Sequence, residues 1–423
     1  MDRKYMIDTE ENKQFLNEGA DRLWAFGHNF ASPGGGSYYL GDDGQPWTDR
    51  PRETWITSRM AHVYSMGKMR GHEGSEALAE AAVKGLLGEL YDKEHGGWYA
   101  GINADGSILP TKQCYAHAFV ILAATSAYLA GIKDAEKLLG EAVKIYDEKF
   151  WNENEGLSCD IWNTEFTECD GYRGLNANMH SVEAFLAIAD AIGDESYRKR
   201  AGRIIERVLV WAKENNYRLP EHFNTDWKVD LEKNIERPDD PFKPYGATPG
   251  HGIEWARLIT QWATSAYGKN SDEAKKYIAE AEKLFCTAVQ DAWNCDGVPG
   301  LAYTTDWNGS PLVKDRMHWT LAEAINTAAV LYRCTGNQMY ADYYAQFLQY
   351  LDEKVLDHSC GSWYHQLDEK NGVKTTVWPG KSDIYHALQA MLIPYASVDT
   401  SIAKTSISQA THPLEQKERF VQL

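Results

Sequence analysis

The sequence predicts an all-α fold, an (α/α)6 barrel with short β-hairpins at its mouth. Three observations predict it. A similar unit occurs six times, each copy places a glycine- and aromatic-rich hairpin before an amphipathic helix, and a second helix fits before the next copy. The chain of 423 residues is long for one core, but closed barrels of this length form single domains. We therefore expect one catalytic barrel domain over residues 1–396 and a C-terminal tail over residues 397–423.

The first three repeats show hairpin turns followed by apolar residues at helical spacing. SYYLGDDGQPW leads into TWITSRMAHVY, which carries Arg59. GGWYAGINADGSIL leads into a helix opened by Tyr115 and His117. GLSCDIWNTEF leads into LNANMHSVEAFL, which carries Asn176 and His180. Each helix is therefore expected to begin with groups that can form hydrogen bonds.

The last three repeats follow the same plan. The fourth has the longest loop and ends in TPGHGIEWARL, the fifth runs from GLAYTTDWNG into HWTLAEAI, and the sixth runs from GSWYHQLDEKNG into DIYHALQAML. These helices carry His251, Trp319 and His386, and Asp383 also lies in the sixth repeat. The marker residues of the six repeats are roughly 55 to 70 residues apart, which leaves room for a second, outer helix in each repeat. We predict outer helices at 11–30, 75–91, 134–150, 196–215, 271–293 and 338–355.

The motif TPGHGIEW indicates acid-base chemistry. The Pro-Gly pair starts a helix, so His251 and Glu254, three residues apart, share one face of its first turns. An imidazole and a carboxylate can exchange and orient a proton near neutral pH. If the inner helices all begin at the hairpin side, their first turns converge at the barrel mouth. Such convergence is typical of a small-molecule site, and it groups Arg59, Asn176, His180, His251, Glu254 and His386.

Composition narrows the class of substrate. The 15 Trp and 24 Tyr exceed the needs of a core and suit a pocket that stacks on sugar rings. A net charge of -18 without a Lys/Arg-rich run argues against nucleic acid, anionic membranes and phosphorylated substrates. The N-terminus has no apolar leader and no long apolar run follows, which predicts a soluble cytoplasmic protein. Seven scattered cysteines without a CxxC pair fit reduced thiols.

At WITSRMAHVY, NANMHSVEAFL, TPGHGIEWARL and DIYHALQAML the sequence resembles the N-acylglucosamine 2-epimerase superfamily. Within it, the chain is most similar to the aldose-ketose isomerase branch, which contains isomerases of mannose and of sulfoquinovose. The resemblance runs from about residue 15 to residue 394 and implies the same (α/α)6 fold, a monosaccharide substrate, and no cofactor or metal.

The resemblance also implies roles for single residues. Arg59 should bind the sugar oxygens near C1 and C2, and four residues should open the ring and move protons. From the chemistry of an imidazole–carboxylate pair, we expect Glu254 to orient His251. The implied proton-transfer set is His180, His251, Glu254 and His386. Further positions implied to line the pocket are Trp55, Tyr115, Asn176, Met179 and Trp319.

The rim of the implied pocket departs from the sulfosugar pattern. An arginine is expected before TPGH and a glutamine after the SWW-type strand in that branch, whereas Phe242 and Lys243 precede the motif here and His365 follows Trp363 and Tyr364. These departures favour a neutral hexose over a sulfosugar. We therefore expect the conversion of mannose to fructose through a cis-enediolate.

The sequence leaves several alternatives open. A sugar 2-epimerase would use the same residues, and a sulfoquinovose isomerase differs at the rim. A glycoside hydrolase on this fold would need paired carboxylates; the candidates are Asp170, Glu221, Glu323 and Asp383. A metal enzyme or a non-catalytic binding protein is less consistent with the motifs. Oligomeric state is not predicted.

Overall fold

The computed structural model describes residues 2–409, and its regular elements are mainly helices. The thirteen α-helices are numbered in chain order: α1 Glu10–Gly27, α2 Thr54–Met69, α3 Ser75–Leu87, α4 Cys114–Leu129, α5 Ala135–Lys149, α6 Leu175–Ile192, α7 Glu195–Glu214, α8 Pro249–Tyr267, α9 Asp272–Ala292, α10 His318–Thr335, α11 Gln338–Tyr350, α12 Ile384–Leu392 and α13 Ile402–Ser408.

The strands are two or three residues long and lie before the inner helices. They are β1 Tyr39–Leu40, β2 Pro46–Trp47, β3 Arg52–Glu53, β4 Gly101–Ile102, β5 Ile108–Leu109, β6 Thr111–Gln113, β7 Trp151–Asn152, β8 Leu157–Ser158, β9 Ile161–Asn163, β10 Arg173–Gly174, β11 His222–Phe223, β12 Arg316–Met317 and β13 Gln366–Leu367.

The chain forms two compact units. In the first unit (residues 24–204, 382–385 and 400–409), helices α2, α4 and α6 pack side by side in chain order. Helix α3 packs on α2 and α5 packs on α4, so each inner helix is followed by an outer one. Helix α4 is buried at nearly every position because its sequence, CYAHAFVILAATSAYL, is apolar on every face. Antiparallel pairs β1–β2, β4–β5 and β7–β8 form the predicted hairpins.

The second unit (residues 2–23, 205–381 and 386–399) repeats this plan. Inner helices α8 and α10 pack together, with α9 on α8 and α11 on α10. Helix α9 is amphipathic, and the Ser271 hydroxyl caps it by accepting a hydrogen bond from Ala274 N at 3.0 Å. Strand β12 pairs with β13, with Met317 opposite Gln366. Helix α10 begins at the next residue, His318, so its start is fixed by a paired strand.

A buried lysine–aspartate pair holds a hairpin loop in each unit. Lys112 Nζ donates to Asp92 Oδ2 at 2.7 Å, and Lys381 makes the same contact with Asp357. Lys381 also donates to the Gly361 carbonyl at 3.0 Å. Although burial opposes it, the hydrogen bond from Lys112 lowers the pKa of Asp92 to about 2. These pairs fix the loops that precede the inner helices.

The predicted outer helices are all present, with ends shifted by a few residues. The largest difference is at 338–355, where the α-helix ends at Tyr350 and a π-turn, Leu351–Val355, follows. Part of the predicted tail, Ile402–Ser408, forms helix α13. This segment is helical because Ser401 caps it and Ile402 and Ala403 are buried. The remainder of the predicted tail, 410–423, lies outside the described residues.

None of the helices in the described part of the chain combines the length and the hydropathy that crossing a bilayer requires.

Candidate active site

The first turn of α8 is positioned by tight backbone contacts. Ala247 and Thr305 exchange backbone hydrogen bonds of 2.9 Å in both directions just before the helix. Pro249 then takes the first helical position, where no amide hydrogen is needed. A Cβ at Gly250 would lie 2.6 Å from Thr320 Cγ2 and 2.8 Å from Trp319 Cζ3, so glycine permits close packing on α10. His251 is thereby held against α10.

His251 is paired with a carboxylate from another segment. Its Nδ1 lies 2.7 Å from Glu221 Oε2, and the two residues are 7% and 3% exposed. An ionised carboxylate only accepts hydrogen bonds, so Nδ1 carries the hydrogen and Nε2 is left as the basic atom. The expectation that Glu254 orients His251 is therefore wrong; the three-residue spacing places them on one helix but Glu221 reaches the ring.

Trp319 lies between two of the predicted histidines. Its ring centroid is 4.7 Å from that of His251 and 6.1 Å from that of His386. Both rings are tilted against the indole, by 33° and 38°. The sequence-predicted residues His251, Trp319 and His386 are thus brought together in the second unit.

Glu254 lies near His386 and does not form the hydrogen bond to His251. One ligand atom each from Glu254, Glu323 and His386 lie within 4.8 Å of one another. Arg257 donates to both oxygens of Glu323, at 2.6 and 3.1 Å, and its Nη2 is 3.7 Å from Glu254 Oε1. This group has the donor types of a metal site, but both oxygens of Glu323 are already engaged by the Arg257 guanidinium.

Two further histidines, His318 and His365, pack beside His386. The His318 and His365 rings stack with centroids 3.9 Å apart, and His318 Nδ1 lies 3.2 Å from the His365 carbonyl oxygen. His318 in turn meets His386 edge to face at 6.1 Å.

His117 is structural: its Nε2 accepts from Trp98 N at 3.1 Å, and burial lowers its pKa to about 3.

Arg59 is a buried cation of the first unit. Its Nη2 donates to the Tyr115 hydroxyl at 2.8 Å and its Nη1 lies 3.2 Å from Asp383 Oδ2. The guanidinium lies over the rings of Trp55, at 4.8 Å, and Phe119, at 4.5 Å. A guanidinium stacked on aromatic faces and 4% exposed is held in one orientation, as recognition of sugar oxygens requires.

His180 lies next to this arginine group. Its ring centroid is 5.1 Å from that of Tyr115 and 4.4 Å from that of Phe119. Its Nδ1 is 3.5 Å from Glu183 Oε2, and the Tyr385 hydroxyl donates to the same carboxylate oxygen. The structure thus joins Arg59, Tyr115, Trp55 and His180 in one group.

The remaining predicted residues of α6 differ from each other. Asn176 lies in the first turn, and its Oδ1 is buried without a hydrogen-bond partner among residues 2–409. A buried amide oxygen without a partner is available to a ligand hydroxyl. Met179 is 0% exposed and packs inside the unit.

The sequence did not predict the contacts that Glu221, Glu183 and Tyr385 make in these groups. Glu221 had been considered only as a hydrolase carboxylate, and Glu183 and Tyr385 had not been singled out. Glu183 had a signal, because His180-x-x-Glu183 repeats the spacing of His251-x-x-Glu254.

The hydrolase candidates do not form an unpaired acid-base couple. Asp383 is paired with Arg59, Glu323 with Arg257 and Glu221 with His251, while Asp170 is exposed on a loop. A glycosidase needs one carboxylic acid and one carboxylate across a scissile bond. The arrangement instead offers imidazoles and a guanidinium.

Comparison with known proteins agrees with this chemistry. The model of the N-acylglucosamine 2-epimerase (GlcNAc 2-epimerase) family matches residues 35–390. The chain is 39% identical to a D-mannose isomerase of Pseudomonas cannabina pv. alisalensis, over 86% of this chain and 88% of that protein. It is 38% identical to a D-mannose isomerase of Thermobifida fusca, over 93% and 96% of the two chains. A crystal structure of a D-mannose isomerase superposes with a TM-score of 0.82 at 26% identity, covering 90% of this chain and 97% of that one.

The predicted fold class, an all-α (α/α)6 barrel with short β-hairpins, is confirmed by this structural match. The fold and the sequence similarity define an aldose-ketose isomerase that acts on a small sugar. The chain belongs to the N-acylglucosamine 2-epimerase family.

Proposed function

We propose that the protein interconverts D-mannose and D-fructose without a metal ion, by opening the pyranose and moving one proton between C2 and C1. The observation that carries this proposal is the placement of two buried imidazoles, His251 and His386, on the same indole ring, each with a carboxylate near it. Imidazoles can gain and lose protons at neutral pH, and carbon acids need such a base held in place. The presence of D-mannose isomerases among its relatives supports mannose as the substrate.

Ring opening is the first step. It needs a base at the O1 hydroxyl and an acid at O5, because the C1–O5 bond breaks as the carbonyl forms. His251 is suited to this exchange, since its Nε2 is the free atom when Nδ1 donates to Glu221. His180, with Glu183 at 3.5 Å from its Nδ1, is the second imidazole assigned to ring opening.

Proton transfer follows on the open sugar. The C2 hydrogen is weakly acidic, so a base must act while a cation neutralises the enediolate oxygens. We assign the base to His386, which takes the C2 proton and returns it to C1 while the O2 hydroxyl proton passes to O1, and the cation to Arg59. Glu254, within 4.8 Å of a His386 ring nitrogen, would stabilise the imidazolium formed at that stage. The negative charge of the enediolate is then balanced by Arg59, and the positive charge of the imidazolium by Glu254.

The remaining assigned residues hold the sugar. Trp319 offers an apolar face to the ring carbons, and Trp55 and Tyr115 do the same beside Arg59. The Asn176 amide oxygen can accept from a sugar hydroxyl. Met179 would act only through packing, because it is fully buried.

A neutral hexose fits the charges better than a sulfosugar. Bidentate binding of a sulfonate favours an arginine, and at the expected place before TPGH the chain has Phe242 and Lys243 instead. His365, at the position where a glutamine was expected, stacks on His318. Both features support an unmodified aldose.

Product analysis by NMR tests the proposal against its nearest alternative. The purified protein is given D-mannose in D₂O, and then a panel of D-lyxose, D-glucose and sulfoquinovose. Fructose from mannose supports the proposal, whereas glucose without fructose would identify a sugar 2-epimerase. Turnover that survives dialysis against EDTA is expected, because Arg257 already binds both oxygens of Glu323.

A further inference from the structure

Glu221 is the partner of His251 even though thirty residues of sequence separate them. The Nδ1–Oε2 distance is 2.7 Å, which is typical of a hydrogen bond to an ionised carboxylate. Glu221 is 3% exposed, and its Oε1 has no hydrogen-bond partner in the described part of the chain. A buried carboxylate with a single strong contact acts chiefly on the group it contacts.

The backbone around Glu221 is anchored on the loop that leads into α8. The neighbouring His222 lies with Nε2 2.8 Å from the Pro244 carbonyl oxygen. Burial lowers the pKa of His222, which keeps its ring neutral and its Nε2–H a donor to that carbonyl. Two consecutive residues, Glu221 and His222, therefore hold the ring of the motif's histidine and the loop before the TPGH motif.

A fixed partner on Nδ1 decides what Nε2 can do. With Nδ1–H donating to Glu221, the lone pair of Nε2 is available to take a proton from the sugar. Without this partner the ring exchanges between two tautomers and can turn about its side-chain bonds. The base would then be present in the productive form only part of the time, which lowers the turnover number without removing the binding groups.

We propose that Glu221 is the positioning residue of His251, locking the Nε2-basic tautomer and stabilising the imidazolium that forms during turnover. This inference rests on the proposed function, because it assumes that His251 exchanges protons with the sugar. Glu254, which the sequence had paired with His251, lies within 4.8 Å of a ring nitrogen of His386.

The test combines spectroscopy with kinetics on the full-length protein. Protein labelled with ¹⁵N-histidine is examined by long-range ¹H–¹⁵N correlation, and the His251→Gln variant identifies the His251 signals. Wild-type protein should show a protonated Nδ1 and an unprotonated Nε2 on His251. Glu221→Leu should lose this pattern and about 10²-fold in kcat on mannose, with KM changed by less than about 3-fold. Glu221→Gln keeps an acceptor oxygen, so its kcat should lie between those of the wild-type protein and Glu221→Leu.

Glu282→Gln is the matched control. Glu282 accepts a hydrogen bond from the Tyr340 hydroxyl at 2.9 Å between outer helices, so its loss should leave both kcat and the His251 pattern unchanged. The proposal is overturned if wild-type His251 carries its hydrogen on Nε2, or if Glu221→Leu loses no more kcat than the control. Should either Glu221 variant fail to fold, the wild-type spectrum alone decides. A wild-type protein that leaves mannose unchanged refutes the proposed function, while the spectrum still tests the pairing.

Discussion

Arg59 Nη1 lies 3.2 Å from Asp383 Oδ2, and both side chains are buried. The carboxylate balances the charge of the guanidinium and helps fix its plane, while Tyr115 and the rings of Trp55 and Phe119 hold the other sides. The cation assigned to the enediolate is therefore set in position before the sugar binds, which is what makes electrostatic stabilisation effective.

Asp383→Asn should reduce kcat by about 10-fold and lower the free energy of unfolding by about 3 kcal/mol, because a buried charge loses its partner. The matched control is Asp92→Asn, which breaks the buried pair with Lys112 away from the assigned residues. The control should lose a similar stability in urea titration but keep the kcat of its folded fraction. Equal kcat losses in the two variants would contradict the assignment.

His251→Gln and His386→Gln should each lose about 10²- to 10⁴-fold in kcat, which is the usual cost of removing a general acid or base. His117→Gln is the control, because His117 is tied to Trp98 N and Gln113 O and takes no part in the proposed steps. Circular dichroism checks that each variant is folded. Retention of more than about a tenth of wild-type turnover by either of the first two variants would rule that residue out as an essential base.

Gly250→Ala should reduce stability by about 1–3 kcal/mol and lower activity, because its methyl group would displace Trp319 or Thr320. Gly252→Ala, on the same helix, meets only Ala288 Cβ at 3.6 Å, an ordinary contact. That variant should gain up to about 1 kcal/mol, since alanine favours a helix. Thermal unfolding and steady-state kinetics measure both, and opposite signs are expected. A neutral Gly250→Ala would show that the contact with Trp319 can relax freely.

Stability should fall between pH 7 and pH 5 through His62. Burial lowers the pKa of this ring from 6.5 to about 4, and the charge of Glu183 opposes the shift only in part. The unfolded chain therefore takes up a proton below pH 6.5 that the folded chain refuses until about pH 4, so acid favours unfolding. The loss due to His62 is about 2 kcal/mol at pH 5. His62→Gln should flatten the difference between urea titrations at pH 7 and pH 5, and an unchanged difference would contradict the assignment.

The helices and the histidines could be predicted because their signals are local. Apolar spacing marks the inner and outer helices, and the Pro249–Gly250 pair marks the start of α8. The end of α11 was harder to predict, since the apolar pattern continues through the π-turn Leu351–Val355. Local pattern could not separate these two backbone geometries.

The pairing of carboxylates with histidines could not be predicted in full because it depends on tertiary packing. His180 and Glu183 do meet at 3.5 Å with the spacing used to pair His251 with Glu254. The same spacing failed in α8, where Glu221 reaches the His251 ring from another segment and Glu254 lies with Arg257 and Glu323. The spacing along a helix predicts which residues share a face. It does not predict whether a carboxylate from another segment lies closer to the histidine ring.

The most direct test of the proposed reaction uses D-mannose carrying deuterium at C2, incubated with the wild-type protein in ordinary water and followed by NMR. Transfer by one histidine predicts fructose that carries part of the deuterium at C1 at the earliest times, and loss of this product in His386→Gln. Glucose without fructose, or fructose free of deuterium from the first turnovers, would contradict the account.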